Sequence, residues 1–271
     1  MERPDRSLGK IDVDRPSAAR IYDYFLGGAH NFEVDRRAAE ALAEVYPALG
    51  LWMRANRSYL RRAVNYLAKE GVDQFLDLGS GIPTVGNVHE IAQRANPAAR
   101  VVYVDIEPIA VTHSNTILSG NELAVAIRAD LRDAAKVLSD PVVNGLLDLS
   151  RPIGLILAGV LQYVTDADDP GGMIREYTER LVPGSHVAMS HPTMDELTQE
   201  RVAGAAEASD VYQRAETPFQ YRTKAEFETF FAGLERVEPG VVNMWDWRPE
   251  LGADGDEFDG QVAGFAGVGR K

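Results

Sequence analysis

The segment Gln74-Phe75-Leu76-Asp77-Leu78-Gly79-Ser80-Gly81 decides the fold. Its first five residues form a short, mostly apolar run, which predicts a strand buried on both faces. The glycines that follow allow a tight turn. Apolar residues at helical spacing then occupy 88–95, and a second apolar run at 100–105 predicts the next strand. Two strands joined through a helix favour a right-handed crossover and a parallel pair.

The alternation of strands and helices continues toward the C-terminus. Apolar runs at 123–129, 153–158 and 186–190 predict three more strands. The runs at 237–245 and 261–269 have no helical pattern between them, so we expect them to pair antiparallel at the sheet edge. The predicted fold class is α/β, with a doubly wound, mainly parallel, seven-stranded sheet.

Upstream of the first strand, the pattern is helical. Apolar residues recur at the spacing i, i+3, i+4, i+7 from Ala38 and again from Leu60, and a helix-like stretch at 18–26 precedes both. We expect residues 1–70 to form an N-terminal helical cap, packed on a core formed by residues 71–271.

Composition excludes several kinds of site and partner. The 271 residues include no cysteine, so disulfides, thiolate metal sites and cysteine nucleophiles are ruled out. The net charge of −13 disfavours nucleic acid as a partner. The densest basic group, Arg54, Arg57, Arg61 and Arg62, is interpreted as a solvated helix face. The longest apolar run, 153–161, is too short to span a membrane, and we expect a cytoplasmic protein.

Four predicted strand ends carry residues suited to a ligand. Gly79-Ser80-Gly81, Asp105, Asp130 and Gly159 each follow a different strand. In open α/β sheets, ligands bind outside the carboxyl ends of the strands. A carboxylate such as Asp105 can accept hydrogen bonds from ribose hydroxyls. Each feature alone also fits a structural role: a tight turn for the glycines, and a helix N-cap for either aspartate.

The glycine loop fits a cofactor without phosphates better than a dinucleotide. A dinucleotide fingerprint needs glycine at the sixth position of the loop, where Thr84 stands here. The chain also lacks the Gly-Lys-Ser/Thr of a phosphate-binding loop.

With these motifs in place, residues 75–191 resemble class I S-adenosylmethionine (SAM)-dependent methyltransferases, which have a Rossmann-like fold. The segment Ala19–Gly28, with Asn31-Phe32, Asp35-Arg36 and Arg54–Arg57, is similar to a bacterial subfamily of S-adenosyl methyltransferases of unknown substrate. That resemblance runs from about residue 16 to the C-terminus. One departure is Pro83, where many class I members have a third glycine.

The resemblance implies SAM as the cofactor and a role for each matching position. The two loop glycines would approach the methionine part, Asp105 would hold the ribose, and Asp130 would meet the adenine edge. The segment Tyr22–Asp35 would lie over the site. The implied cofactor-binding residues are Gly79, Ser80, Gly81, Asp105, Ile106, Asp130, Leu131, Gly159, Val160, Tyr22 and Asn31.

No catalytic residue can be assigned from the sequence. His191 and His30 are the best candidates for a general base, although a structural role is favoured for each. Tyr22 and Phe32 could face the sulfonium of SAM or pack the cap on the core. The acidic clusters at 166–169 and 254–259 are interpreted as solvated loops, so no metal site is expected.

The leading hypothesis is methyl transfer from SAM to a small-molecule acceptor, without nucleic acid or membrane partners. The sequence leaves open the acceptor and the oligomeric state. One alternative is a SAM-binding sensor or accessory protein without catalysis. A NAD-dependent oxidoreductase is a further alternative, which Thr84 disfavours.

Overall fold

A mixed sheet with helices on both sides organises the computed structural model, which describes residues 14–82, 86–195, 197–214, 218–249 and 263–271. Eight strands of these ranges form the sheet, in the order β3-β2-β1-β4-β5-β8-β6, and β7 also pairs with β8. The strands are β1 (Gln74–Leu78), β2 (Arg100–Asp105), β3 (Ala124–Arg128), β4 (Gly154–Ala158), β5 (His186–Pro192), β6 (Glu235–Arg236), β7 (Val242–Asn243) and β8 (Gly264–Arg270).

The parallel part of the sheet places its strand ends side by side. β1 pairs in parallel with β2 on one side and with β4 on the other, and β3 and β5 extend the two halves. The direction of winding reverses between β1 and β4, and a ligand crevice is expected at this point. The predicted doubly wound, mainly parallel α/β fold is confirmed.

Ten α-helices are present in the described part of the chain. They are α1 (Ala18–Phe25), α2 (Glu33–Val45), α3 (Leu49–Lys69), α4 (Val88–Ala95), α5 (Pro108–Ile117), α6 (Ala134–Ser139), α7 (Pro141–Leu146), α8 (Pro170–Arg180), α9 (Gln199–Arg214) and α10 (Lys224–Thr229). The first three form the N-terminal part, where α3 packs on β4, β5 and β8. None of the helices described is long and apolar enough to cross a membrane.

The C-terminal edge differs in detail from the prediction. β8 pairs antiparallel with β6 and β7, as expected for two strands without a helix between them, and it also pairs antiparallel with β5, which was not predicted. Only β7 lies within the predicted strand at 237–245, and β6 lies just before it. The chain turns between them because Pro239 has no N–H to donate and Gly240 has a φ of 86°. Within the described ranges, the sheet therefore has eight strands rather than the predicted seven. Residues 261–262 and the acidic cluster at 254–259 lie outside the described ranges.

A helix that the sequence analysis did not find fills part of the segment 192–222. Helix α9 buries Ala205, Ala208 and Tyr212, which recur at i, i+3 and i+7, and packs against α2. Two of these three residues are alanines, so the apolar stripe is weak in the sequence.

Candidate active site

A cavity of about 480 Å³ lies over the carboxyl ends of β1, β2, β3 and β4. Ten of the eleven predicted cofactor-binding residues line it: Tyr22, Gly79, Ser80, Gly81, Asp105, Ile106, Asp130, Leu131, Gly159 and Val160. The eleventh, Asn31, is not part of the lining. The sequence-predicted residues at four strand ends therefore meet around one space, which is large enough for a cofactor.

The glycine loop after β1 is held against β2 by its backbone. The N–H groups of Gly79 and Ser80 both donate to the carbonyl of Val104, and the Gly81 N–H donates to Asp105 Oδ2 at 2.7 Å. Gly79 has a φ of 69°, and a Cβ there would collide with the side chain of Val160. Only glycine combines this conformation with so close a contact to the β4 end.

Asp105 ends β2 as a buried carboxylate. Its Oδ1 accepts a hydrogen bond from the Glu107 N–H at 2.9 Å, and its Oδ2 accepts from Gly81. Burial raises the pKa of Asp105 to about 6, against the lowering effect of these two bonds. An ionised carboxylate has about four acceptor positions, so further donors such as hydroxyl groups can still bind.

A second buried carboxylate, Asp77, lies in β1 and also lines the cavity. Burial raises the pKa of Asp77 to about 7, the nearby Arg57 lowers it, and the charge of Asp105 raises it further. Asp77 belongs to the loop motif Asp77–Gly81, but its role was not predicted from the sequence. The cavity thus contains a carboxyl group whose ionisation a bound cation would favour.

Arg57 of α3 brings a positive charge to the same cavity. Its Cζ lies 5.6 Å from the ring centroid of Tyr22, and its buried Nε has no hydrogen-bond partner among the described residues. The interpretation of the four arginines as a solvated face is therefore wrong for Arg57. It is also wrong for Arg62, which is buried and donates to the carbonyl of Trp247.

The spacing along α3 could have identified Arg57. It precedes Leu60 by three residues and Val64 by seven, so it continues the stripe of buried residues on that helix. The high density of arginines at 54–62 concealed this position.

The opposite end of the cavity is more open. Ile106 is 56% exposed, and Asp130 binds Arg132, with a distance of 2.6 Å between Oδ2 and the guanidinium Nη2. These hydrogen bonds hold the pKa of Asp130 below its usual value. Asp130 does not cap α6, because that role belongs to Asp133, whose side chain accepts from the Lys136 N–H.

A hydrogen-bond chain fixes the hydroxyl of Tyr22 beside the β4 end. Ser190 donates to Asn56 Oδ1 at 2.5 Å, Asn56 Nδ2 donates to the Tyr22 hydroxyl at 3.0 Å, and that hydroxyl donates to the Met53 carbonyl. A Cβ at Gly159, whose φ is 69°, would lie 2.6 Å from Asn56 Nδ2. The small residue at this strand end is thus required by Asn56.

Two buried clusters of side chains, one around Asp35 and the other around Asp23, hold the N-terminal segment together. Arg20 Nε donates to Asp35 Oδ2 at 2.7 Å, and Asp35 also accepts from the N–H groups of Ser17 and Phe32. Arg20 also pairs with Glu107, with 3.3 Å between its Nη1 and Glu107 Oε1. Glu107 follows Asp105 by two residues, so this ion pair links the N-terminal segment to the end of β2. This arrangement explains the spacing of Arg20, Phe32 and Asp35 in the sequence motif.

Asn31 belongs to the other buried cluster. Its Nδ2 donates to Asp23 Oδ2 at 2.8 Å and to the carbonyl of Gly28, and the His30 N–H donates to the same carboxylate oxygen. Asn31 therefore orders the loop between α1 and α2. Its role as a cofactor ligand stays a prediction.

Neither candidate base is available at the cavity. His191 is buried, its Nδ1 donates to the Pro192 carbonyl at 2.7 Å, and its Nε2 accepts from Arg222 at 2.9 Å. Burial lowers the pKa of His191 to about 3, so the ring is neutral and both nitrogens are occupied. His30 packs on His113, with ring centroids 4.3 Å apart, outside the cavity lining.

The two aromatic candidates in the N-terminal segment occupy different places. Tyr22 lines the cavity, whereas Phe32 lies 5.3 Å from the guanidinium of Arg20 and outside the lining. Within the part of the chain that the structure describes, Tyr22 is thus the better placed to contact a ligand.

Comparison with known proteins identifies the family of this chain. A family model described as S-adenosyl methyltransferase matches residues 4–271. A DUF574 family protein from Streptomyces avermitilis has 39% sequence identity and a TM-score of 0.91, with 97% of this chain and 100% of that chain covered. A candidate methyltransferase from Thermobifida fusca has 38% identity and a TM-score of 0.87, with 96% and 97% covered. No protein with a curated description matches the chain. The chain therefore belongs to the S-adenosyl methyltransferase family, whose cofactor is S-adenosylmethionine.

Proposed function

We propose that this protein transfers the methyl group of SAM to a small-molecule acceptor, in the cavity over β1, β2, β3 and β4. The observation that carries the proposal is the meeting of the glycine loop, Asp105, Asp77 and Arg57 around one cavity. SAM combines a ribose with a zwitterionic amino-acid tail. A site for such a molecule needs a hydrogen-bond acceptor for the ribose hydroxyls, a cationic residue for the tail carboxylate and an anionic residue for the tail ammonium group.

Each of these groups has a counterpart among the lining residues. Asp105 accepts the ribose hydroxyls, and Ile106 offers an apolar surface to the adenine. Arg57 binds the carboxylate of the tail, because its Nε is buried without another partner in the described structure. Asp77 binds the ammonium group, which compensates the cost of ionising a buried carboxyl.

The protein's own contribution to the reaction is positioning. When bound, SAM supplies an electrophilic methyl group on a sulfonium, so the residues need only orient the reactants and exclude water. Alignment of this kind can contribute roughly 7–11 kcal/mol to lowering a barrier at best. The Tyr22 side chain forms a rigid part of the cavity lining against which the reactants can be aligned, because hydrogen bonds to Asn56 and Met53 fix its hydroxyl.

A SAM-binding sensor without catalysis remains the second candidate. The observation that favours it is that His191, the best-placed histidine, has both ring nitrogens occupied. Membership of the methyltransferase family removes the support for a nicotinamide-dependent oxidoreductase.

The proposal is tested first by titration calorimetry with SAM. We expect one site per chain in the unaltered protein, and weakening by about 1.5–3 kcal/mol in Asp105→Ala, the range for a lost hydrogen bond to a charged group. Asp133→Ala, which removes only the cap of α6, is the matched control and should leave affinity unchanged. Equal affinity in the two variants would disprove the ribose contact.

Catalysis is tested separately with SAM labelled in the methyl group and an extract of small metabolites. Transfer of label to a metabolite supports the enzyme, and its dependence on Asp105 links it to this site. SAM binding without any transfer favours the sensor.

A further inference from the structure

A second, smaller cleft adjoins the candidate cofactor cavity at the Tyr22 side. Tyr22 and Tyr163 line both spaces. The cleft has a volume of about 20 Å³, enough for one water-sized group. Seven of its thirteen described lining residues are aromatic: Tyr22, Tyr46, Trp52, Tyr163, Tyr212, Phe219 and Tyr221. An apolar ring that lies in the cofactor cavity against Tyr163 would therefore adjoin this group of rings.

The rings around this cleft already contact each other in favourable geometries. Tyr163 lies edge-on to Tyr212 and to Phe219, with ring centroids 6.0 and 5.7 Å apart. Tyr212 and Phe219 stack at 5.0 Å with an interplanar angle of 15°, and Phe219 meets Tyr221 edge-on. These are the arrangements that aromatic pairs prefer, so one more ring can join the cluster at Tyr163.

Three buried polar atoms without a hydrogen-bond partner in the described residues belong to the lining of the cleft, and the Tyr212 hydroxyl oxygen is one of them. Neither Trp52 Nε1 nor Gln162 Oε1 has a hydrogen-bond partner in the described part of the structure. Buried polar atoms without a partner are uncommon and costly, and each calls for a ligand or water. Trp52 Nε1 is a donor and Gln162 Oε1 is an acceptor, and a hydroxyl group is a partner that suits either.

The cleft is also uncharged. None of its lining residues within the described ranges is acidic or basic. Burial raises the pKa of Tyr163 to about 12 and that of Tyr212 well above its usual value, so both hydroxyls keep their protons. An ionised ligand would lose its hydration here without gaining a counter-charge.

We infer that Tyr163 and Phe219 form the acceptor subsite, and that it takes an uncharged aromatic molecule carrying a hydroxyl group. The aromatic ring of the acceptor packs against Tyr163, and its hydroxyl is directed to Trp52 Nε1 or Gln162 Oε1. The inference rests on the proposed function, because it places the acceptor next to the tail end of the bound cofactor, where Asp77 and Arg57 lie.

The test uses three probes of similar size on protein saturated with S-adenosylhomocysteine. The bound product occupies Arg57, so this arginine cannot attract an anionic probe. We expect 2-naphthol to bind roughly tenfold more tightly than its saturated counterpart decahydro-2-naphthol, which lacks the aromatic ring. We expect 2-naphthoate, which is aromatic but charged, to bind more weakly than 2-naphthol by at least about tenfold. Equal affinity for 2-naphthol and either other probe overturns the inference.

Substitutions then locate the subsite. Phe219→Ala should weaken 2-naphthol binding at least about fivefold and leave the affinity for S-adenosylhomocysteine unchanged. Phe32→Ala removes a ring of the same type outside both cavities and should change neither affinity. Equal 2-naphthol affinity in the two variants overturns the assignment to Phe219, and the probe series on the unaltered protein decides the chemistry if Phe219→Ala does not fold.

The two proposals fail in different ways. If only the inference is wrong, the protein binds S-adenosylhomocysteine normally but shows no preference for 2-naphthol over the other probes. Failure of S-adenosylhomocysteine to bind folded protein removes the proposed function, and the inference with it.

Discussion

At the scale of single residues, the cavity is defined by charges held in buried places. Asp77 and Asp105 are both buried. Burial raises the pKa of Asp77 to about 7 and that of Asp105 to about 6. Arg57 lies among them with a buried Nε that lacks a partner in the described residues. Such groups are costly to keep in a ligand-free protein, and the cost is offset when a complementary ligand binds.

Arg57 can be tested against a neighbour on the same helix. Arg57→Gln should weaken SAM binding about 10- to 150-fold, because a hydrogen bond between charged groups is worth roughly 1.5–3 kcal/mol. Arg54→Gln is the matched control, since Arg54 is exposed on α3 and outside the cavity lining. Titration calorimetry of both variants checks this, and similar affinities would show that Arg57 does not bind the carboxylate.

The sequence predicted the residues of the site unevenly. Asp105 and the glycines were found because they follow strands, and position after a strand is visible in the sequence. Arg57, Asn56 and Trp52 come from α3, and their place above the sheet depends on how that helix packs. Hydrophobic spacing along α3 can show which face of the helix is buried, as for Arg57, but it does not define which strand ends that face covers, because helix packing is a long-range property.

At the scale of the elements, the close approach of α3 to the end of β4 is the most demanding contact. Gly159 has a φ of 69°, and a side chain there would meet Asn56 and Trp52 of α3. The strand end and the helix can be this close only because residue 159 has no Cβ.

Gly159→Ala should therefore destabilise the protein by about 1–3 kcal/mol through backbone strain, with the clash against Asn56 in addition. In the Asn56→Ala background the clash is relieved, so the double variant should be more stable than the sum of the two single changes by about 0.5 kcal/mol or more. Gly145→Ala in α7 is the control, because a Cβ there meets no atom within 4 Å.

Urea unfolding of these four variants measures the coupling. Additive effects of Gly159→Ala and Asn56→Ala would contradict the contact. A similar loss of stability in Gly145→Ala would show that the loss at residue 159 is not specific to its position.

The elements themselves were largely predictable up to β5. The strands there are short apolar runs, and each ends at, or within two residues of, a glycine, proline or aspartate, which end regular structure. The predicted strand at 237–245 was wrong as one element because Pro239 and Gly240 interrupt it. Helix α9 was missed because alanine contributes little to a hydrophobic pattern, although Ala205 and Ala208 are buried.

At the scale of the whole molecule, stability should depend on pH through Asp77. Burial raises its pKa from 3.8 to about 7, so the native state binds a proton more tightly than the unfolded chain. The resulting stabilisation is complete below pH 4 and is lost as the pH rises through 7. Asp77→Asn removes this titration and keeps the shape of the side chain.

We therefore expect Asp77→Asn to gain stability relative to the unaltered protein between pH 4 and pH 7, and to bind SAM more weakly above pH 7. Titrating groups remote from the cavity contribute equally to both proteins, so the difference in the free energy of unfolding reports Asp77 together with its interaction with Asp105. Urea titrations at several pH values check the first part and calorimetry the second. A difference in stability that stays constant across this range would refute the raised pKa.

The direction of β8 has a practical consequence for experiments on binding. β8 runs antiparallel to β5, and Arg270 pairs with His186 at the start of that strand. Lys271 is anchored there, where its N–H donates to the Ser185 carbonyl. The cavity lies at the other end of the strands, over the carboxyl ends of β1, β2, β3 and β4. An affinity tag fused after Lys271 would therefore immobilise the molecule on a sensor chip with the cavity facing the flowing solution.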